Sequence, residues 1–401
     1  MTPEPEGDEG DGRHAPGTLA AGLVDELRTR SRTILSDAWR VDGDAGYCVP
    51  NARTYPWQWL WDSCFHAVVW AHLDDERAVL ELRAALADQD EDGFVPHVRY
   101  GAGPFPHRAF WGREHTSSIT QPPMYGHAAA VVAAAGLPLG EEVVERATRG
   151  LRFLLERRHR SPGGLVLLCH PWESGCDDSP RWDDVVDGPW SRDAWFDAKG
   201  ALLETIERSP TGAPLVNPAF AVGSVGFSAL VAWNARELGA LTGDDRLLAP
   251  ARELADAVDA RWDPALATWV DDGPTAAGSG RVRTHDALLP SLVAPRPEAF
   301  APLTDPSALG GPFGPAGVHR AEPTFDPAGY WRGGAWPQLA YLSWRAARAA
   351  GDERTEASLR HSLAAGALRS GFAELWEPDT GDALGAVPQS WTTLATVVAA
   401  G

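Results

Sequence analysis

An acidic stretch, ESGCDDSPRWDD at residues 173–184, holds five carboxylates within twelve residues. Cys176 and Trp182 lie inside it and LVLLCHPW precedes it, so its neighbours predict that part of the stretch is buried. A buried carboxyl group close to other carboxylates has a raised pKa, which suits a general acid that works near neutral pH. The stretch is therefore interpreted as one wall of an active site.

Two other interpretations of residues 173–184 were weighed, a calcium loop and a solvated turn. An EF-hand loop needs alternating Asp or Asn ligands, a central Gly and a distal Glu. Pro180, Arg181 and Trp182 interrupt the acids here. A solvated turn would lack the apolar and aromatic neighbours. The sequence thus favours an active-site wall and predicts no metal site.

A general acid needs a second carboxylate across the substrate, and hydrolysis of a glycosidic bond is the reaction that most characteristically uses such a pair. FAELWEPDTGDALG, at residues 372–385, offers Glu374, Glu377, Asp379 and Asp382. Glu374 is followed by Leu375 and Trp376, so it is the best candidate for a base in apolar surroundings. The alternative is an ordinary surface glutamate near a helix end.

Composition restricts the partners of this chain of 401 residues. A net charge of -20 argues against a sequence-independent grip on nucleic acid or anionic lipid, because both need a basic surface. No apolar run reaches the length of a membrane span and no secretory signal is visible, so a cytoplasmic location is predicted. The four cysteines lack CxxC spacing, which favours reduced thiols. The 18 tryptophans either stack on sugar rings or fill a large core.

Helical periodicity dominates the chain and strand-like alternation is scarce. It begins at Leu19 and Leu23 and returns at about 62–88, 123–158, 191–207, 220–260 and 333–370. Three similar junctions, AHLDDERAVL, LTGDDRLLAP and AAGDERTEAS, combine an apolar helix end with an Asp that can cap the next helix. Splitting the periodic stretches at such turns predicts about twelve helices in six hairpins, which makes an all-α, (α/α)6 toroid.

The segments between the predicted helices are long and rich in Pro, Gly and Trp, at 41–61, 91–122, 159–190, 262–283 and 297–332. Long loops in a compact domain are usually functional, so the chemistry is expected there. Residues 1–16 are acidic and poor in apolar side chains, which predicts a disordered tail before a single catalytic domain at 17–401. An open helical solenoid that binds protein partners is the competing architecture.

Five motifs, in this order along the chain, resemble those of glycoside hydrolase family 63, and within it the short bacterial mannosylglycerate and glucosylglycerate hydrolases. They are WLWDSCFHA, SITQPP, HPWESGCDDSPRWDD, YWRGGAWPQLAYL and ELWEPDTGDALG. The resemblance extends from about residue 50 to the C-terminus. It implies an (α/α)6 toroid, in agreement with the hairpin count, and no redox or nucleotide cofactor.

The resemblance also implies roles for the two carboxylates. Inversion uses an acid that protonates the leaving oxygen and a base that activates water on the opposite face of the sugar, with carboxyl groups roughly 6.5 to 9.5 Å apart. By motif, Asp177 is the acid and Glu374 is the base. Asp178 stands where the family pattern leads us to expect Asn, and a neighbouring carboxylate would raise the pKa of the acid further.

The substrate-binding residues implied by the motifs fall into three groups. The group expected to hold the sugar is Trp59, Trp61 and Asp62; further pocket residues are Gln121, Trp172, Arg332 and Trp336; the aglycone side is Tyr55, Tyr330, Trp331 and Gln389. Asp62 is expected to accept hydroxyl hydrogen bonds. For Arg332 the alternative is a structural pair with an acid.

One departure bears on the substrate. An aglycone such as glycerate needs a cation for its carboxylate, and the family likeness suggests Arg and Tyr before the helix at about residue 220. SPTGAPLVNPAFAVGSVGF, at 209–227, has neither, although Arg208 just precedes it. Another arginine must substitute, or the substrate differs.

The leading prediction is an inverting α-glycosidase of a small soluble α-glucoside or α-mannoside, most similar to glucosylglycerate or mannosylglycerate. The alternatives are a trehalase-like or debranching-type hydrolase that acts on a neutral oligosaccharide, and a toroid that binds carbohydrate without catalysis. A scaffold for protein partners is disfavoured by the tryptophan clusters on the loops.

Overall fold

A computed structural model describes residues 18–101, 108–185, 190–275 and 281–401. The predicted tail at 1–16 lies outside these residues. The described helices are α1 (Ala21–Ala38), α2 (Leu60–His72), α3 (Arg77–Ala85), α4 (Arg108–Trp111), α5 (Tyr125–Ala134), α6 (Glu141–Arg152), α7 (Arg192–Glu204), α8 (Val225–Thr242), α9 (Asp245–Asp259), α10 (Pro297–Thr304), α11 (Pro337–Ala350), α12 (Glu353–Arg369) and α13 (Leu394–Ala400).

Short strands decorate the helices. They are β1 (Trp39–Asp42), β2 (Ala45–Cys48), β3 (Gln58–Trp59), β4 (Val98–Arg99), β5 (Leu167–Leu168), β6 (Glu207–Arg208), β7 (Pro214–Val216), β8 (Val222–Gly223), β9 (Trp262–Asp263), β10 (Thr268–Trp269), β11 (Leu375–Trp376) and β12 (Ala383–Leu384). They pair antiparallel as β1 with β2, β3 with β4, β5 with β8, β6 with β7, β9 with β10 and β11 with β12.

Six elements form a closed inner ring. In order they are α2, α5, α8, a 3-10 helix at Asp286–Leu292, α11 and α13, each packed against the next, and α13 packs against α2. The outer helices α1, α3, α6, α9, α10 and α12 pack against this ring. Alternation of inner and outer elements is the (α/α)6 toroid that the hairpin count predicts, so the predicted fold class is confirmed.

The hairpin turns follow the local signals read from the sequence. Gly243 ends α8 at φ +68°, and the Asp244 side chain accepts a hydrogen bond from the Arg246 N–H at the start of α9. Gly351 ends α11 at φ +72°, and Asp352 caps α12 in the same way. Glycine tolerates this left-handed conformation and Asp satisfies a free helix N–H, so inner and outer helices join through very short turns.

Three features differ from the predicted pattern. One inner element is a 3-10 helix, where Pro290 removes an N–H donor and so disfavours a regular α-helix. The segment 297–332, predicted to be a loop, contains α10, which starts with Pro297 at its first position and buries Phe300 and Leu303. Helix α7 is predicted but joins neither ring; it packs on the acidic stretch through Trp195 and Lys199.

The tryptophans fall into two groups, one in the core and one lining cavities. Trp70, Trp182, Trp195, Trp269, Trp336 and Trp376 are fully buried. Six others line two adjoining cavities, namely Trp59, Trp61, Trp111, Trp172, Trp331 and Trp391. All four cysteines are buried and unpaired. Among the described residues no helix has both the length and the apolar character needed to cross a membrane.

Candidate active site

Two adjoining cavities open among the loops and are here called the inner and the outer chamber, of about 60 and about 660 Å³. Six residues line both, namely Tyr55, Trp59, Gln121, Asp177, Tyr330 and Glu374. The inner chamber is completed by Pro50, Trp61, Asp62, Gly175, Trp331, Gln389 and Trp391. The outer chamber is completed by Thr54, His97, Tyr100, Trp111, Trp172, Asp178, Arg192, Phe196, Lys199, Ala328, Leu375, Leu384, Gly385 and Ala386.

The acidic stretch carries Asp177 to the boundary between the chambers on a rigid turn. A short 3-10 helix, Pro171–Ser174, ends at Gly175, whose φ is +75°. A Cβ at Gly175 would lie 2.6 Å from the Trp61 ring, so glycine is required both by conformation and by space. The Trp182 indole donates a hydrogen bond of 2.8 Å to the Cys176 carbonyl, which fixes the backbone just before Asp177.

Asp177 has the electrostatics of a general acid. Burial, opposed by Lys199 and reinforced by Asp178 and Glu374, raises the pKa of this carboxyl to about 7. A carboxyl group with such a pKa keeps its proton at a pH where an ordinary aspartate is ionised. It can therefore donate that proton to a leaving oxygen near neutral pH.

Asp178 is paired with Lys199, so the charges of both residues act on Asp177. The Lys199 Nζ lies 2.6 Å from Asp178 Oδ1, and the Trp195 indole donates to the same oxygen over 2.8 Å. Lys199 is the only lysine in the sequence, and its importance was missed when the sequence was interpreted. Its isolation as a lysine in a chain of arginines was the signal that could have found it. Within this pair, the negative charge of Asp178 raises the pKa of Asp177 and the positive charge of Lys199 lowers it.

This arrangement gives opposite pH effects for two substitutions. Asp178→Asn removes a charge that raises the pKa of Asp177, so the alkaline limb of the kcat/KM profile should move to lower pH. Lys199→Met removes a charge that lowers the same pKa, so the limb should move to higher pH. If Asp177 is the general acid that its motif predicts, activity needs its protonated form, so a higher pKa extends activity to higher pH. We expect shifts of about one pH unit.

The pH profiles of the two variants are measured beside Asp193→Asn, an exposed position on α7. The control should keep the wild-type limb. Shifts of both site variants in the same direction would contradict the assignment of the acid.

Glu374 faces the same boundary from the hairpin of β11 and β12. Its Oε1 accepts hydrogen bonds from the Tyr55 hydroxyl at 2.9 Å and the Tyr330 hydroxyl at 3.3 Å, and its Oε2 accepts one from the Ala386 N–H at 3.0 Å. Burial raises the pKa of Glu374, and these three donors oppose the rise. Three donors suit a carboxylate that must be ionised to accept a proton from water.

The backbone around Glu374 is adapted to it. Gly385 has φ +69°, and a Cβ there would lie 2.4 Å from Glu374 Oε2. Any other residue at this position would displace the carboxylate. The last glycine of the motif ELWEPDTGDALG is therefore explained by its close contact with Glu374.

Unpaired acceptors line the inner chamber. Asp62 Oδ1 and Gln389 Oε1 are buried and have no hydrogen-bond partner among the described residues. Burial raises the pKa of Asp62 well above its usual range. Buried polar groups normally have partners, so these oxygens are free to receive ligand hydroxyls. The Trp61 indole packs edge-on against Trp391 at 5.9 Å and forms the chamber wall.

The structure brings most of the predicted site residues together, and four of them differ from their expected positions. Trp331 and Gln389, expected on the aglycone side, line the inner chamber only, whereas Trp172 lines the outer one. Arg332 lines neither chamber: it makes two hydrogen bonds to Asp183, of 2.9 and 2.6 Å. Arg332 thus forms the structural pair with an acid that was the alternative to a role in the pocket.

Trp336 is the fourth of these residues and lies behind the wall of the inner chamber. Its ring stacks on Trp331 with centroids 3.6 Å apart and planes 7° from parallel. It is almost fully buried and supports Trp331, which faces the inner chamber. The outer-chamber residues His97, Tyr100, Trp111, Arg192, Phe196 and Lys199 and the inner-chamber residue Trp391 were not identified from the sequence.

The other charged residues of the acidic stretch hold it in place. Glu173 is fully buried against Arg158, with 2.6 Å between Arg158 Nη2 and Glu173 Oε2. Arg181 binds Asp271 at 3.0 Å and also Asp286. Arg181 and Asp183 thus hold the loop through ion pairs. Each carboxylate named here faces a cation, unlike the ligands of a calcium loop.

Because Arg158 and Glu173 are both fully buried, we expect Arg158→Met to lower the free energy of unfolding by about 3–5 kcal/mol. The substitution leaves an uncompensated carboxylate in the core. The double variant Arg158→Met with Glu173→Gln should recover part of the loss. Denaturant unfolding measures both, and a single variant as stable as wild type would contradict the buried pair.

One group of metal-ligand type lies close together in the described residues. The ligand atoms of Cys48, His66 and Glu81 are all within 4.8 Å of one another. His66 contacts Glu81 at 3.3 Å and the Ser390 hydroxyl at 2.6 Å, and the Cys48 thiol donates to the Leu35 carbonyl. Burial raises the pKa of the Cys48 thiol well above its usual range. A protonated thiol in a satisfied network favours a structural role.

Comparison with known proteins gives this geometry a family. Residues 55–392 match the model of the mannosylglycerate hydrolase MGH1-like glycoside hydrolase domain. The chain is 30% identical to the glucosylglycerate hydrolase of Mycolicibacterium hassiacum, with 85% of this chain and 91% of that protein aligned. It is also 30% identical to the mannosylglycerate hydrolase of Thermus thermophilus, over 86% and 94% of the two chains.

A solved structure agrees with the sequence matches. The crystal structure of the family 63 mannosylglycerate hydrolase from Thermus thermophilus, in complex with Tris and D-glycerate, superposes with a TM-score of 0.80 at 26% identity. The alignment covers 94% of this chain and 100% of that one. The resemblance to glycoside hydrolase family 63 is thus confirmed. The chain belongs to the mannosylglycerate hydrolase MGH1-like family of glycoside hydrolases, and it is an enzyme that hydrolyses glycosidic bonds.

Proposed function

We propose that this enzyme hydrolyses a small α-glycoside of glycerate, of the glucosyl or mannosyl type, with inversion at the anomeric carbon. Asp177 is the general acid and Glu374 is the general base. The observation that carries the proposal is that both carboxyl groups lie at the boundary of the two chambers. The surroundings of Asp177 favour its protonated form, and the hydrogen-bond donors around Glu374 favour its ionised form. Burial brings the pKa of Asp177 to about 7, whereas three donors stabilise the ionised form of Glu374.

In the proposed reaction the sugar occupies the inner chamber and the aglycone occupies the outer one. Asp177 gives its proton to the glycosidic oxygen as the bond from that oxygen to the anomeric carbon breaks. Glu374 accepts a proton from the water that attacks this carbon from the opposite face. The products are the free sugar with inverted configuration and the aglycone alcohol, and transfer of one proton from Glu374 to Asp177 through solvent restores the enzyme.

The inner chamber has the groups that a sugar requires. The unpaired Asp62 and Gln389 oxygens can accept hydroxyl hydrogen bonds, and the indoles of Trp59 and Trp61 bound the space between them. A buried acceptor that meets a hydroxyl recovers the cost of its own desolvation. Substrates that lack those hydroxyls should therefore bind poorly.

The test is a hydrolysis assay with purified protein on glucosylglycerate, mannosylglycerate, trehalose, kojibiose and nigerose. We expect kcat/KM for at least one glycerate glycoside to exceed that for the three disaccharides by about a hundredfold, the factor that one or two lost charge-assisted hydrogen bonds produce. The Asp177→Asn variant, purified in the same way, controls for contaminating hydrolases. Preference for a neutral disaccharide, or no hydrolysis of any substrate, would refute the proposal.

The proposal includes two further points. Residues 17–401 act as one catalytic domain, which is supported by the contribution of segments from Pro50 to Trp391 to a single pair of chambers. The partner is a small-molecule glycoside. The enzyme acts in the cytoplasm, and cell fractionation of the native host would test this location.

A further inference from the structure

One positively charged side chain of the outer chamber has no charged partner among the described residues. Apart from the two catalytic carboxylates, the described residues that line this chamber include three with charged side chains, Asp178, Arg192 and Lys199. Asp178 and Lys199 form an ion pair of 2.6 Å. Arg192 has no hydrogen bond or ion pair with any described residue, and its side chain is exposed. One cation is thus left to face the space that the aglycone would occupy.

Helix α7 holds this cation in position. Arg192, Phe196 and Lys199 are spaced by four and three residues, which places them on one face of the helix. All three line the outer chamber. The helix is fixed at its start by Ser191, which accepts a hydrogen bond from the Ala194 N–H, and in its middle by the contacts of Trp195 and Lys199 with Asp178.

No competing arginine from the neighbouring chain segment lines the chamber. Arg208, which precedes the segment at 209–227, donates to the Ser118 carbonyl at 2.6 Å and to the Ser118 hydroxyl at 3.1 Å. It is not among the described residues that line either chamber. A local cation matters here because a net charge of -20 repels an anionic ligand at long range.

We propose that Arg192 binds the carboxylate of the aglycone and makes this enzyme selective for anionic glycosides over neutral ones. This inference rests on the proposed function. An arginine can meet a carboxylate with two parallel N–H donors, so it recognises the shape of the group as well as its charge. Arg192 and the protonated acid Asp177 both line the outer chamber, so both can contact the aglycone.

The experiment compares two substrates that differ only at the carboxylate, the α-glucosides of glycerate and of glycerol. The measured quantity is the ratio of kcat/KM for the charged substrate to kcat/KM for the neutral one. For Arg192→Gln we expect this ratio to fall about 10- to 100-fold, mostly through KM, because the contact is made equally in the ground state and the transition state. Arg192→Lys should recover part of the ratio, since it keeps the charge but not the two donors.

Arg252→Gln is the matched control, because it makes the same change of net charge on the outer helix α9. The ratio should stay at the wild-type value in that variant. An unchanged ratio in Arg192→Gln, with both substrates hydrolysed by wild type, would overturn the assignment of Arg192 and leave the glycosidase function standing. A wild-type preference for the glycerol glucoside would overturn the selectivity itself. Hydrolysis of neither substrate would refute the proposed function together with this inference.

Discussion

Asp177→Asn is expected to lower kcat on the glycerate glycoside by about 10²- to 10⁴-fold, the usual contribution of a general acid. The substitution keeps the shape of the side chain and removes the proton that the leaving oxygen needs. The effect depends on the leaving group: fluoride departs without protonation, so hydrolysis of the α-glycosyl fluoride should fall far less. Steady-state kinetics on both substrates measures this difference.

Asp193→Asn provides the matched control for the acid, since it makes the same chemical change at an exposed position of α7. Its activity on both substrates should equal that of wild type. Equal losses on glycoside and fluoride in Asp177→Asn would contradict a role in leaving-group protonation and would indicate damage to the site. Full activity on the glycoside would exclude Asp177 as the acid.

Glu374→Gln should also lower kcat by about 10²- to 10⁴-fold, and here the loss should be similar for glycoside and fluoride. Both substrates need an activated water, whatever group departs. The amide keeps the size of Glu374 and can still contact Tyr55 and Tyr330, but it cannot accept a proton from water. The two variants therefore separate into two kinetic classes if the roles are assigned correctly.

Glu298→Gln on α10 is the corresponding control, because this glutamate is exposed and lines neither chamber. Wild-type kinetics are expected for it. If Glu374→Gln spared the fluoride as Asp177→Asn is expected to do, the roles of acid and base would have to be exchanged.

The ring of helices was predictable because its signals are local. A glycine followed by a capping aspartate, as in Gly243 and Asp244, specifies a tight turn whatever surrounds it. The position of α7 was not predictable in this way. Its sequence indicates a helix, but its packing on the acidic stretch depends on contacts of Trp195 and Lys199 with Asp178 that only the folded chain creates.

The same difference explains the site. Motif resemblance identified Asp177, Glu374, Trp59 and Asp62, and the structure brings these residues together around the two chambers. Arg332 illustrates the limit, because its pairing with Asp183 joins residues far apart in the sequence. Lys199 and Arg192 belong to no recognised motif, so their charges became meaningful only when the lining of the outer chamber was known.

Most charged residues of the acidic stretch at 173–184 hold its structure, and Asp177 is the one to which we assign a catalytic role. Glu173 and Asp183 are bound by Arg158 and Arg332, which fix the loop. Asp178 is bound by Lys199, so the pair acts on the pKa of Asp177 in both directions. Four of the five carboxylates are thus accommodated, since three are bound by cations and burial raises the pKa of Asp177.

Inversion by Asp177 and Glu374 is tested most directly by following the anomeric protons by NMR during the first turnovers on an α-glucoside of glycerate. Attack of water from the face opposite the leaving group predicts that β-glucose appears first and that α-glucose follows only at the rate of mutarotation. Initial release of α-glucose would show retention and would contradict the acid and base roles assigned here.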